Sequence, residues 1–218
     1  MCGFRPASIN SRFVAPWSFG RSRKDDPRRT SKSVSKLFQP NSVYDRTSRR
    51  PTRPPQTKIF LSTPITGLLI RSEDGTISFP HRTRLQFICE SLRDAFDCSL
   101  FCAIELENWG SDVADAFSLT TRDYREIQGA DIVLAFPGAS YGTHMELGWA
   151  SAFMIPTMIF LNSTGPMTPL VAGMEEIVTC KILQFDGDVF PTPEVWKGLL
   201  GEARKFVDMI GIPTAVPR

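Results

Sequence analysis

A chain of 218 residues, 42% hydrophobic and 22% charged, holds enough apolar side chain for one domain with a proper core plus an appendage, and no apolar run reaches membrane-spanning length. The net charge of +2 conceals a division: residues 1–58 carry 14 Lys and Arg against 3 Asp, a net +11, and the remainder is −9. An acidic body argues against a nucleic-acid groove, and 5 cysteines without CxxC or zinc spacing fit reduced structural thiols in a cytoplasmic protein.

Residues 1–57 are rich in Arg, Ser, Pro and Thr and show no apolar periodicity. Plain disorder, an organelle transit peptide and a misplaced start all suit that composition. The first two dozen residues lack an amphipathic helix and a signal-peptide core, so a disordered basic tail or a misplaced start is the expectation. The globular domain then spans 58–218.

It opens with a strand, Lys58–Thr63 (KIFLST), and a turn, Pro64–Gly67. Asp74-Gly75 predicts a tight turn or small hairpin. Pro80 starts a helix whose apolar face is Leu85, Ile88, Cys89, Leu92 and Phe96. Ser99–Ile104 is a second strand, followed by a loop over Glu105–Asp115. A helix from Phe117 turns Leu119, Tyr124 and Ile127 inward. Ile132–Phe136 is a third, buried strand. A glycine-bearing loop, Pro137–Gly142, leads into a helix from Thr143 with Met145, Trp149 and Ala152–Phe153 at helical spacing. Pro156–Leu161 and Ile177–Phe185 supply two more strands. Glu194–Ile210 closes the chain as an amphipathic helix on Val195, Leu199, Ala203, Phe206 and Ile210.

This alternation predicts an α/β domain: one doubly wound, five-stranded, mostly parallel sheet, flavodoxin- or Rossmann-like. Ligands of such sheets bind beyond the carboxyl ends of the strands where the winding reverses, here strands one and three. Ser62–Gly67 and Pro137–Glu146 follow those strands and are expected to meet.

Several enzyme signatures touch this region without fitting. Gly138–Gly142 matches G-x-S-x-G, but the only histidines are His81 and His144, and neither suits the base of a nucleophile elbow. His144-x-Glu146 lacks the Pro-Cys-x-x-Cys of a zinc deaminase. The loop has neither the Walker A lysine nor G-x-G-x-x-G. A strand, loop and helix start does leave backbone N–H groups aimed at an anion, with Glu146 one turn inside. By pattern alone Glu146 reads as a solvated helix residue; Leu147, Trp149 and Ala150 argue instead for burial, where an unpaired carboxylate is costly. Asp123 reads equally as a second acid or as a surface partner of Arg122 or Arg125. Ser140 and Thr143 read as helix caps, which is compatible with phosphate binding. His144 reads as structural or as a rim contact.

Three segments in order, KIFLSTPITG, RDYREIQGADIVLAF and PGASYGTHMELGWA, resemble the nucleoside 2-deoxyribosyltransferase-like superfamily over about Lys58–Phe185. Within it they are most similar to the nucleoside 5′-monophosphate N-glycosidases, the CMP hydrolases among them. The resemblance implies hydrolysis of an N-glycosidic bond to free base and (deoxy)ribose 5-phosphate, with no metal or redox cofactor. It implies Glu146 as nucleophile, Asp123 as the acid that assists base departure, and Ser140, Gly142 and Thr143 as phosphate contacts. Transferases carry an aspartate near the Ser140 position. Phe60, Thr63 and Thr66 complete the implied binding set. Phe60 stands where deoxynucleotide-specific relatives have Tyr, which points to ribose, and Thr66 stands where the CMP hydrolases have Arg; Arg71, Arg82 or Arg84 are candidate substitutes. The terminal TAVPR lacks the aromatic ending that completes a neighbour's site in the transferases. The implied partners are a small-molecule nucleotide and a second copy of the chain, in a homodimer through the helix after Glu146, with no nucleic acid and no membrane. Base exchange by a deoxyribosyltransferase and a non-catalytic nucleotide-binding module are the alternatives.

Overall fold

A computed structural model describes residues 56–69, 76–112 and 114–212, with the side chain of Thr66 excepted. The tail through residue 55, Arg71, the Asp74-Gly75 turn and the terminal TAVPR lie outside the described residues.

Five strands form one sheet: β1 (Lys58–Ser62), β2 (Ser99–Cys102), β3 (Ile132–Ala135), β4 (Thr157–Asn162) and β5 (Cys180–Phe185). Their order is β2-β1-β3-β4-β5 and every pairing is parallel, where the sequence predicts a mostly parallel sheet. A parallel sheet is covered on both faces, so its central strands read as unbroken apolar runs. IVLA in β3 is buried throughout, and so are the first five residues of β4.

Side chains alternate between two cores. Ile59, Leu61, Ile132, Leu134, Phe136, Met158 and Phe160 face one side, with α2 (Phe79–Phe96) and α7 (Pro193–Met209). Phe60, Val133, Ala135, Ile159 and Leu161 face the other, with Ile127 of α4 (Ala116–Gln128) and Leu147 and Ala150 of α5 (Tyr141–Ala152). An aromatic cluster fixes the first core: Phe136 stacks on Phe160 at 5.0 Å between ring centres, and Trp196 packs edge-on to Phe160 at 5.3 Å. Trp196, rather than Val195, is the fully buried anchor of α7.

Several boundaries move. Two short helices, α1 (Ile65–Leu69) and α3 (Ala103–Leu106), replace the expected turn after β1 and the end of the second strand. The strand ends at Cys102, paired with Leu61 of β1, and the chain turns into α3 at Ala103. Within the expected 105–115 loop, Asn108–Gly110 forms a 3-10 turn that buries Trp109 under the Arg82 guanidinium, 5.1 Å away. β5 begins at Cys180, not Ile177, because Met174–Glu176 is a 3-10 turn and leaves Ile177 exposed.

Two helices are rotated from their expected phase. In α4 the buried residues are Asp123 and Ile127, while Tyr124 is exposed and packs edge-on against Trp149 and Phe153. In α5 Met145 is exposed, and Thr143, Leu147 and Ala150 are buried. α5 also starts two residues earlier than expected, at Tyr141. Among the described residues no helix is long and apolar enough to cross a membrane.

Candidate active site

The two loops that the winding predicts to meet do so. The Phe136 amide donates to the Ser62 carbonyl at 2.9 Å. Gly138 adopts φ +46 in a turn where an added Cβ would lie 3.8 Å from the Pro64 ring. That conformation favours glycine, and it brings the β3–α5 loop down onto the end of β1.

At this junction the Ser62 hydroxyl donates to Oε2 of Glu146. Ser62 is 1% exposed, and Glu146 is half-buried. Burial pushes the Glu146 carboxyl up to about 8; the Ser62 bond opposes the shift, Asp123 adds to it and Arg122 works against it. At pH 7 about a tenth of such a group is ionised. Asp123, on α4 packed beside α5, is 3% exposed, and burial raises its pKa as well. Arg122 restrains that rise, and Glu107 and Glu126 add to it. Arg122 donates from Nε to Asp123 Oδ1 at 2.9 Å and from Nη2 to Glu107 Oε1 at 2.7 Å. The Asp123 carboxyl is thus both Arg122's partner and part of a buried cluster. Its surface reading does not hold.

The opposite end of the site is the start of α5. Ser140 is the N-cap: its Oγ accepts from the Thr143 amide at 3.3 Å, and its carbonyl accepts from the His144 amide at 3.2 Å. The first four amides of a helix have no partner within it, so the Tyr141 and Gly142 amides point out of the helix end. The positive end of the helix dipole adds to that donor field. His144 Nδ1 lies 2.6 Å from the Ser140 carbonyl; a carbonyl only accepts, so Nδ1 is the donor. Six residues separate Ser140 from Glu146, a rise of about 9 Å along a helix.

Buried polar atoms without a hydrogen-bond partner concentrate here. Among the described residues they are Thr63 Oγ1, Glu107 Oε2, Thr143 Oγ1 and Trp196 Nε1. The first three follow the carboxyl ends of β1 and β2 or begin the helix after β3. Leaving such a group unpaired costs about 1–3 kcal/mol, and three of these four lie at the carboxyl end of the sheet. Phe60 lies beneath the site: it is 1% exposed and stacks on Phe101 at 5.0 Å, with the Arg122 guanidinium 5.6 Å above Phe101 on the ring face.

Two clefts flank the loop. One of about 580 Å³ is lined by Ser140, His144, Leu147, Thr168 and Leu170 among others, and one of about 260 Å³ by Pro64, Leu68, Asn162 and Asp188 among others. Both share Gly138, Ala139 and Pro166. Ser140 opens on the larger, whereas Glu146 and Asp123 line neither. The structure therefore brings Ser62, Asp123, Arg122 and Glu146 into one cluster and sets Ser140, Gly142 and Thr143 at the adjoining helix end.

The one group of candidate metal ligands among the described residues is Cys89, Cys102 and Glu105, with ligand atoms within 4.8 Å of one another. It does not suit a cation. The hydrogen bond to Cys102, then burial, drives the Cys89 thiol far above its ordinary pKa, and Arg93 already clamps Glu105 at 2.6 and 3.2 Å. Both thiols belong to the α2–α7 core.

Ser62→Ala is expected to push the Glu146 titration further up, because it removes the bond that opposes burial. At neutral pH this lowers any activity that needs the carboxylate by about tenfold, with recovery at alkaline pH. A pH–rate profile of the variant checks it.

Comparison of the sequence with protein-family models and with curated proteins gives no match. Among solved structures, BlsM, determined in solution, is 31% identical, covers 74% of this chain and 98% of its own, and superposes with a TM-score of 0.55. BcmB of Clostridium botulinum, described as a CMP N-glycosidase, is 19% identical, covering 66% of this chain and 98% of its own with a TM-score of 0.48. A conserved protein of Enterococcus faecalis V583 is 15% identical, covering 69% and 99%, also at 0.48. With nearly a third of its residues shared along almost the whole of BlsM, this chain belongs to the same protein family as BlsM.

Proposed function

We propose that the protein hydrolyses the N-glycosidic bond of a nucleoside 5′-monophosphate, releasing the free base and ribose or deoxyribose 5-phosphate. The carrying observation is the Glu146 carboxyl, held by the Ser62 hydroxyl and coupled to Asp123, one helix turn and a half from an N-terminus capped by Ser140.

In this reading the substrate phosphate sits at the start of α5, where Ser140, Thr143 and the Gly142 amide donate to it. The Ser140 hydroxyl has its proton to give, since its oxygen accepts from the Thr143 amide. The ionised Glu146 attacks C1′, the C1′–N bond breaks and its electron pair leaves with the base, which takes a proton from Asp123. Water then attacks C1′ of the glycosyl-enzyme, gives a proton to Asp123, and releases the sugar phosphate and the Glu146 carboxylate. Burial raises the Asp123 carboxyl above its ordinary range, which is the direction a proton donor needs. Thr63 adds a hydroxyl on the sugar side, while Phe60, 1% exposed and stacked on Phe101, supports the site from beneath rather than touching the substrate; cytoplasmic nucleotides are the substrate pool. The hydrolase reading is favoured over base exchange because a serine, not a carboxylate, occupies position 140. A homodimer through α5 accompanies the proposal; it would cover Met145, which is exposed at 56%.

Chromatography after incubation with a panel of ribo- and deoxyribonucleotides, CMP first, tests the proposal. Free base with stoichiometric sugar 5-phosphate is the expected result. Base exchange between nucleosides lacking phosphate, or thermal stabilisation by nucleotides with no base released, would replace it with a transferase or a binding module.

A further inference from the structure

We propose that Arg122 is the positioning residue of the site, tying Asp123 to the buried Glu107 and so fixing the carboxyl that faces Glu146 from the neighbouring helix. The inference rests on the hydrolase reading above for its catalytic consequence, but its structural half does not.

Arg122 and Asp123 are adjacent in sequence, and adjacent residues on a helix do not ordinarily face each other. Here the Arg122 side chain folds back so that Nε reaches Asp123 at 2.9 Å while Nη2 reaches Glu107 at 2.7 Å. Glu107, 1% exposed, sits at the carboxyl-terminal end of α3, after β2. One planar cation therefore joins two elements, α3 and α4, on the side of the sheet where Ser62 and Glu146 meet. Its underside rests on the Phe101 ring, which itself stacks on Phe60, so the guanidinium plane is fixed as well as its bonds. A guanidinium forms such a two-way fork; an ammonium offers a point charge without it.

The groups facing the clamp define its electrical effect. Asp123 meets Arg122, Glu107 and Glu126; Glu146 meets Ser62, Asp123 and Arg122. Arg122 is the one cation in that set, and it opposes the upward shift of both carboxyls. Removing it leaves four acids, Glu107, Asp123, Glu126 and Glu146, with no cation among them. Asp123 then loses its fixed direction, and both Asp123 and Glu146 hold their protons to higher pH.

The test follows the side-chain carboxyl signals of the full chain by carbon-13 NMR through a pH titration, together with kcat, KM and the pH profile for CMP. In R122Q the Glu146 and Asp123 signals are expected to titrate at higher pH than in the parent, and kcat at pH 7 is expected to fall about tenfold or more with KM within about twofold. In R122K, which keeps the charge without the fork, Glu146 is expected to titrate close to the parent while kcat still falls. A folded R122Q whose Glu146 titrates unchanged overturns the proposal. Should R122Q not fold, R122K decides: parental kcat overturns the proposal, and a lowered kcat at parental KM supports it. A parent protein that cleaves no nucleotide removes the hydrolase reading alone, because the NMR titration of R122Q still reads the clamp in the resting protein.

Discussion

Glu146→Gln is expected to abolish base release, lowering turnover by about 10⁴-fold, and at the same time to make the protein more stable above neutral pH. The first effect follows from chemistry: an amide has neither the charge nor the leaving ability to form and break a bond at C1′. The second follows from linkage. Burial holds the Glu146 carboxyl at about 8, against an ordinary 4.5. Between those values the folded chain binds a proton that the unfolded chain has lost, so unfolding releases a proton and becomes easier as pH rises. The stability associated with the neutral acid is present below about 4.5 and is lost progressively up to about 8. Gln keeps the shape, still accepts from Ser62, and carries no such penalty. The full shift would correspond to roughly 5 kcal/mol; partial exposure of the residue reduces this to about 2–3 kcal/mol. For a chain of this size that is a rise of about 5 °C or more in Tm at pH 8–9, vanishing near pH 4. Thermal unfolding of both proteins at pH 4.5, 7 and 9, beside a chromatographic assay, measures both halves. An inactive variant whose stability difference is flat with pH would mean that the carboxyl is not buried as described. For the parent, kcat/KM is expected to follow a bell: it climbs as Glu146 ionises toward about pH 8 and falls where Asp123 gives up the proton that the departing base needs.

Ser140→Asp is expected to lower kcat/KM for a nucleoside monophosphate by about 10³-fold while costing the unphosphorylated nucleoside tenfold or less. Aspartate caps a helix as well as serine does, so α5 keeps its start and the Thr143 amide keeps its acceptor. What changes is the sign at the phosphate seat. A carboxylate placed against a dianion, at a position only 6% exposed, repels it by several kcal/mol even with partial screening. Comparing CMP with cytidine separates this from simple damage. Equal losses on both substrates would show that the start of α5 holds no phosphate.

The sheet and its reversal point were legible because they depend on unbroken apolar runs and on the handedness of crossovers, both of which survive one-dimensional reading. The meeting of Ser62 with Glu146 follows from them directly. The phase of α4 was not legible. Apolar spacing turned Tyr124 inward, and the structure turns Asp123 inward instead, with Tyr124 lying across Trp149 and Phe153. Met145 misled in the same way beside Glu146. Hydrophobic periodicity assumes that what is buried is apolar, and a buried acid breaks that assumption where function needs it. The sequence offers Arg122 as a partner of Asp123, but its second partner, Glu107, left no mark there. Their partnership spans fifteen positions, from the end of α3 to the middle of α4, and only the three-dimensional structure reveals it.

The strand order has a consequence for how the protein is made. Phe60 must find Val133 on β3 to complete its sheet, yet the two stand 73 positions apart. At about 5–20 residues per second, a ribosome takes roughly 4–15 s to supply the second partner. Through that interval an apolar ribbon, KIFLS, is offered to solvent with one edge bare. Nascent chains of this topology are therefore expected to depend on chaperone cover early in translation, and to aggregate when ribosomes pause between β2 and β3.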